Sequence, residues 1–317
     1  MAVRRRPRLV VLRPLGLGDF LTGVPAYRAL AAAFPHHERI LAATSGLAPL
    51  AALEGSFHRV VPTRPLVPLD PGLHGADVAV DLHGRGPESH CVLLASSPRR
   101  LIAFRNDEVP ASAGMPAWRE DEHEVDRWCR LLAEHGIAAD VTDLRLDDPG
   151  RSPRAADATL IHPGAASGAR RWPPERFAVV ARAELERGRR VIVTGSADEH
   201  PMALEVARRA SLREGALLAG QTDVMDLARL VASAARVICG DTGVAHLATA
   251  FGVPSVVLFG PVSPALWGPP ASDAHIPLWT GRAGSPHEAR TSPGLLEIRV
   301  ADVLAALDDL DREREAA

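Results

Sequence analysis

A chain of 317 residues is long enough for two domains at roughly 100–200 residues each, and its 46% apolar and 24% charged content is that of a globular protein. No apolar run approaches the roughly 18–20 residues that cross a bilayer, and a formal charge of -3, from 36 basic against 39 acidic side chains, gives no basic field for nucleic acid. Every basic residue is arginine, which excludes lysine Schiff-base chemistry and a Walker-A lysine.

Residues 9–12 predict a buried strand, and 19–34 a helix rich in alanine and leucine. Behind the basic residues 1–8 this apolar stretch is too short for a signal peptide. Further strands are predicted at 40–43, 76–82 and 101–104, and a helix over 120–135 places Val125, Trp128, Cys129, Leu131 and Leu132 on one face. The polar segment 147–157, with Pro149, Gly150 and Pro153, lacks periodicity and reads as a linker between domains 1–150 and 151–317. Beyond it the pattern predicts strand 158–162, helix 174–187, strand 190–194, helix 198–210, a short strand 217–218 and helix 223–234. Strand 236–239, helix 243–251, strand 255–259 and a closing helix 301–313 complete the series. Cys91, Cys129 and Cys239 are odd in number and widely spaced, so they read as free thiols in a reducing compartment. The expected setting is cytoplasmic, with local arginines able to rest on the inner face of the membrane.

This alternation predicts an α/β fold of two doubly wound, Rossmann-like domains facing a central cleft, the last helix packing back on the first domain. Ligands of open α/β sheets bind beyond the carboxyl ends of the strands, so the loops there should carry the chemistry. The first, LRPLGLGDFL (12–21), invites a dinucleotide reading as GxGxxG and fails it. Leu21 stands at the third glycine position, and LAAT (41–44) supplies no acidic residue for a ribose. Asp19 reads either as an N-cap or first-turn carboxylate of the helix or as a general base on a glycine-hinged loop, and the two are compatible.

The second loop, HPGAASGARRWPP (162–174), combines small residues with two arginines at the start of a helix. That suits a pyrophosphate, although a solvated loop anchored by Trp172 explains the same residues. In the third, GDTGVAHLA (240–248), Asp241 or Thr242 can cap the helix, and the Thr242 hydroxyl and Gly243 N–H can meet phosphate oxygens. His246 is a lone helix histidine, more often structural than catalytic, and Asp241 and His246 lack a third metal ligand.

Together the segments LGLGDFLTGVPAYRALAAAFP (15–35), IHPGAASGARRWPPERFAVVARA (161–183), VIVTGSADE (191–199) and GDTGVAHLATAFGVPSVVLFGPVSPALWGP (240–269) carry a resemblance. In order and spacing they resemble glycosyltransferase family 9, the ADP-heptose:lipopolysaccharide heptosyltransferase family; DLHGRGPESH (81–90) is similar to its acceptor-side segment. The resemblance implies a GT-B fold with acceptor binding on 1–150 and nucleotide-sugar binding on 151–317. It implies inverting, metal-independent transfer by a monomer, with no cofactor, from a nucleotide-diphosphate sugar (ADP-heptose in the family) to a glycan or glycolipid. The candidate base falls on Asp19, and the acceptor side on Gly18, His83 and Arg85. The family's phosphate-binding lysine falls on Arg170, a departure that keeps the charge and changes its reach. Glu199 falls near the nucleoside ribose or base, and Ser167, Thr194, Asp241, Thr242, Gly243 and His246 fall around the rest of the donor.

Two other readings share the fold: a nucleotide-sugar 2-epimerase-like isomerase and a non-catalytic nucleotide-sugar-binding protein. An epimerase would need further acid/base residues at the sugar, whereas Asp19 is the one strong candidate. An intact Asp19 and donor loop argue against a silent binder.

Overall fold

The computed structural model describes residues 6–316; the basic residues 1–5 of the amino-terminal stretch lie outside the described residues. The chain divides between Leu144 and Arg145 into two units.

The first unit carries strands β1 (Arg8–Leu12), β2 (Glu38–Ala43), β3 (Arg59–Pro62), β4 (Val78–Asp81) and β5 (Leu101–Ile102). Its helices are α1 (Leu17–Thr22), α2 (Val24–Ala33), α3 (Ala48–Glu54), α4 (Glu88–Ala95) and α5 (Glu124–Glu134). All strands are parallel, in the order β3-β2-β1-β4-β5. β1 is buried along its whole length, as a strand covered by helices on both faces must be. Val10, Leu12, Ile40, Ala42 and Ala79 form the core on one face of the sheet.

The second unit repeats the plan with β6 (Ala158–His162), β7 (Arg190–Val193), β8 (Arg236–Gly240), β9 (Ser255–Leu258) and β10 (His275–Leu278) in the order β10-β9-β8-β6-β7. Helices α6 (Pro174–Glu186), α7 (His200–Arg209), α8 (Val224–Ser233), α9 (Gly243–Phe251), α10 (Pro264–Trp267), α11 (Pro293–Glu297) and α12 (Val300–Ala316) surround it. Trp172, Phe177, Val193, Ile238 and Leu307 belong to its core.

In the first sheet the chain runs outward from β1 to β3 and then returns to the other side of β1 with β4. In the second it runs from β6 to β7 and returns with β8. Such reversals open a crevice at the carboxyl ends of the two strands flanking them. The loops after β1 and β4, and those after β6 and β8, therefore border the two crevices.

Several expectations are corrected. The helix predicted over 19–34 is two helices, because Pro25 has no N–H to continue the ladder and Gly23 makes the break. A Cβ on Gly23 would stand 2.5 Å from the Tyr27 ring, so only glycine fits that packing. The helix expected from 120 begins at Glu124, where the His123 side chain accepts from the Val125 N–H at 3.2 Å. The short strand 217–218 is a single bridge from Leu217 to Val193. The expected linker 147–157 lies within the second unit, held by Leu146 N–H to the Ala250 carbonyl (3.0 Å) and Ser152 N–H to Ser233 Oγ (2.8 Å). Within the second unit the closing helix α12 packs on α6, β9 and β10.

Candidate active site

In the first unit Asp19 occupies the third position of α1, not its N-cap, which is Gly16. Its Oδ2 accepts from the Gly16 N–H at 3.2 Å, so the carboxylate closes the helix start while staying partly exposed. Gly18 lies one residue earlier in the same turn. Across the crevice, Asp81 at the end of β4 is fully buried and works twice. Its Oδ1 accepts from the His83 N–H at 2.8 Å, and its Oδ2 lies 2.8 Å from His90 Nδ1. The other nitrogen of His90 donates to the Phe104 carbonyl at 2.7 Å. Burial opposes protonation of His90, but Asp81 and that carbonyl raise its pKa above the usual histidine value. Burial pulls the His83 imidazole the other way; Arg13 adds to the drop, while Asp81 and Asp19 oppose it.

Arg85 is exposed and pairs with Glu120 at 2.8 Å. Both line an open pocket of about 630 Å³ with Arg105, Asn106, Glu108 and Trp118. Its walls are cross-braced by Asn106 Nδ2 donating to the Arg85 carbonyl (3.0 Å) and the Arg105 N–H donating to the Pro116 carbonyl (2.7 Å).

In the second unit Arg170 ends a short turn after β6, its Nη1 lying 3.6 Å from Asp241 Oδ2. Its Nε–H is buried without a hydrogen-bond partner, a donor left for something else. Gly240 permits this approach, since a Cβ there would stand 2.9 Å from the Arg170 carbonyl. Asp241 is buried after β8, and Thr242 is the N-cap of α9. The Thr242 hydroxyl makes no capping bond, which leaves it and the first N–H groups of α9, from Gly243 onward, pointing out of the helix end. His246 lies one turn on, partly buried, its ring 6.2 Å from that of Trp267.

Glu199 lies against the loop after β6. Its Oε2 accepts from the Ser196 N–H at 2.8 Å and stands 3.7 Å from His162 Nε2. A Cβ on Gly164 would come within 2.1 Å of this carboxylate, so the glycine makes its seat. His162 was not singled out from sequence, although it ends β6; its Nδ1 lies 3.0 Å from Thr194 Oγ1. Burial lowers the His162 pKa below the ordinary value, with Glu199 opposing. Thr194 is fully buried behind that ring, so it supports His162 instead of lining open space. Ser167 is likewise engaged, donating to the Pro286 carbonyl, while the Ala169 N–H donates to the Glu288 carbonyl at 2.9 Å. Trp172 is the anchor beneath, fully buried, its Nε1 donating to the Ile298 carbonyl at 3.1 Å.

The structure thus places Asp19 after β1 and His83 after β4, on the turns that Arg13 joins, and Arg170 against Asp241, which Thr242 and Gly243 follow in the chain. Among the described residues no three His, Cys, Asp or Glu side chains gather as a metal site, and no helix is long and apolar enough to cross a membrane.

The family model of glycosyltransferase family 9 (heptosyltransferase) matches residues 113–294. The chain belongs to this family. It is a glycosyltransferase. The lipopolysaccharide heptosyltransferase 2 of Escherichia coli K12 is 25% identical over 358 aligned positions, covering 98% of this chain and 100% of that one. The solved E. coli ADP-heptose lipopolysaccharide heptosyltransferase II superposes with a TM-score of 0.78 at 22% identity, covering 97% of this glycosyltransferase and 99% of that chain. An E. coli heptosyltransferase solved with ADP gives 0.70 at 18% identity, with 96% and 99% covered. The two parallel five-stranded sheets are those of the GT-B fold.

Proposed function

We propose that the chain moves a sugar from a nucleotide-diphosphate donor to a hydroxyl of a glycan or glycolipid, with inversion and without a metal ion. The observation that carries this reading is the second crevice. An arginine with an unspent N–H, a free hydroxyl and an open helix N-terminus converge beyond β6 and β8. These donors suit a diphosphate whose negative charge grows as the glycosidic bond breaks. Glu199, an acceptor-only carboxylate beside His162, suits the hydroxyls of the nucleoside ribose. The named relatives make ADP-heptose the first donor to try.

In the reaction, the Asp19 carboxylate takes the proton of the acceptor hydroxyl, whose oxygen attacks the anomeric carbon of the sugar. The carbon–oxygen bond to the diphosphate breaks with its electron pair staying on the nucleoside diphosphate, and Arg170, Thr242 and the α9 N–H groups receive that charge. One displacement inverts the anomeric centre. The pocket at Arg85, Asn106 and Trp118 supplies hydrogen-bonding groups and an indole for the acceptor's sugars. Work at a membrane face and as a monomer belong to the same proposal.

A thermal-shift screen of ADP-, UDP-, GDP- and dTDP-sugars tests the donor, and incubation of the winning donor with and without glycan acceptors tests the reaction. Stabilisation by one nucleotide sugar and acceptor-dependent release of the nucleoside diphosphate are expected. Turnover of the donor alone into an isomer would replace transfer with epimerisation.

A further inference from the structure

Arg13 is the residue directly after β1, and its side chain is completely buried. A guanidinium is tolerated there only if its donors are used, and they reach three separate segments. Nε donates to the Asp19 carbonyl at 2.6 Å, and Nη1 to the Leu82 carbonyl. Nη2 donates to Thr22 Oγ1 and to Glu124 Oε1, each at 3.1 Å. The Trp128 ring covers the guanidinium at 4.8 Å. The Asp19 carbonyl is available because α1 stops early: the Gly23 N–H turns to the Phe20 carbonyl at 3.1 Å. Thr22 Oγ1 donates to the Asp19 carbonyl as well, at 3.0 Å, so that oxygen is held twice. Glu124 is itself held, accepting from Trp128 Nε1 at 2.8 Å and from Arg127.

Leu82 immediately precedes His83, so one guanidinium joins the helix start that carries Asp19 to the turn that carries His83. We propose that Arg13, anchored by Glu124, is a positioning residue for proton transfer: it locks the backbone at Asp19 to the Leu82–His83 turn, so that carboxylate and imidazole keep one mutual geometry. The proposal rests on the reading of Asp19 as the base. It gives a reason, which packing does not, for burying an arginine just beyond the central strand β1. Charge acts in parallel with geometry: Tyr27, Glu124 and Asp19 all favour the charged form of Arg13 against its burial, and Arg13 acts in turn on His83 beside Asp81 and Asp19.

The test uses the full chain. Arg13→Met together with Glu124→Gln removes both charges, so no carboxylate is left buried without its partner. Folding is checked by circular dichroism. With fold and donor affinity unchanged, kcat should fall about 10²-fold, the scale of a misplacement of about 1 Å at a reacting group. The His83 imidazole, followed by NMR, should titrate at higher pH once the neighbouring positive charge is gone. Arg13→Lys separates the two effects, since it keeps the charge and cannot span all the acceptors: His83 should titrate near its original pH while kcat stays at least about tenfold low. Thr22→Val, isosteric and mild, should cost about threefold in kcat, and it keeps the proposal testable if the Arg13 variants do not fold. Wild-type kcat in the folded double variant, or in Thr22→Val should the others be unfolded, overturns the proposal. Failure of the base reading looks different: Asp19→Asn would then turn over normally.

Discussion

Beyond β1 and β4 the first unit presents the Asp19 carboxylate at a helix start, with the buried Arg13 joining that start to the turn that leads into His83. Beyond β6 and β8 the second unit, wound the same way, presents Arg170 against Asp241, an unbonded Thr242 hydroxyl and the open end of α9. In the first the arginine's donors are spent within the fold and the carboxylate stays partly exposed. In the second the carboxylate is buried and the arginine keeps a free N–H. In the proposed function one backbone plan carries a proton acceptor in one copy and an anion seat in the other, which is why function must be read from loop side chains and not from topology.

The sharpest way to break this contrast is Asp19→Asn. It should leave donor affinity near wild type and lower turnover by about 10²–10⁴, the scale of a lost general base; near-normal turnover would remove the proton-acceptor role from the first unit. Next in size is Arg170→Ala, expected to weaken nucleoside-diphosphate binding by roughly 1.5–3 kcal/mol, as for a hydrogen bond to a charged group. Titration calorimetry should show a much smaller loss for the bare nucleoside. Equal losses for both ligands would make Arg170 a structural residue and end the distinction between the crevices.

The two buried histidines should give the units opposite responses to pH. The His90 pKa is raised in the fold, so the stability it contributes through Asp81 is fully present below its unfolded value and fades as pH rises through the raised one. The His162 pKa is lowered, so its contribution is present above the unfolded value and is lost as pH falls through the folded one. Melting curves of His90→Gln should therefore show the larger loss at mildly acidic pH, and those of His162→Gln at alkaline pH. The differences should be about 2–4 °C, the scale of about 1 kcal/mol in units of this size. Matching pH profiles for the two variants would contradict these assignments.

The smallest expected effect is that of chelation. With washed protein and excess EDTA, transfer and donor binding should both be unchanged, since the proposed function has Arg170 and the α9 N–H groups supply the positive charge that a divalent ion supplies elsewhere. A rate that collapses under EDTA and returns with one particular divalent ion would defeat the metal-free reading.

Much of this was legible because it is local. The apolar runs at β1, β6 and β8 and the helices that follow them are set by period and by Gly and Pro positions, and β6 and α9 fall where the pattern puts them. The edge strands β3 and β10 escaped because they are half exposed and include Pro62 and Pro277, so no buried run marks them. The strand-end loops holding Asp19, Arg170 and Thr242 were readable for the same local reason: small residues and caps advertise a close approach.

What only tertiary structure decided is which distant groups meet. Arg13 and Glu124 are 111 residues apart, and Asp81 finds His90 only because α4 folds back on β4. His162 acquires its place from Thr194, 32 residues on, and from a carboxylate that fits because Gly164 has no side chain. Likewise Ser167 and Thr194, plausible ligand contacts by motif, turn out to hold the Pro286 carbonyl and the His162 ring. A sequence states residue types and local backbone preference. Burial, pairing and the pKa shifts that follow depend on distances across the sheet, and those exist only once the chain has folded.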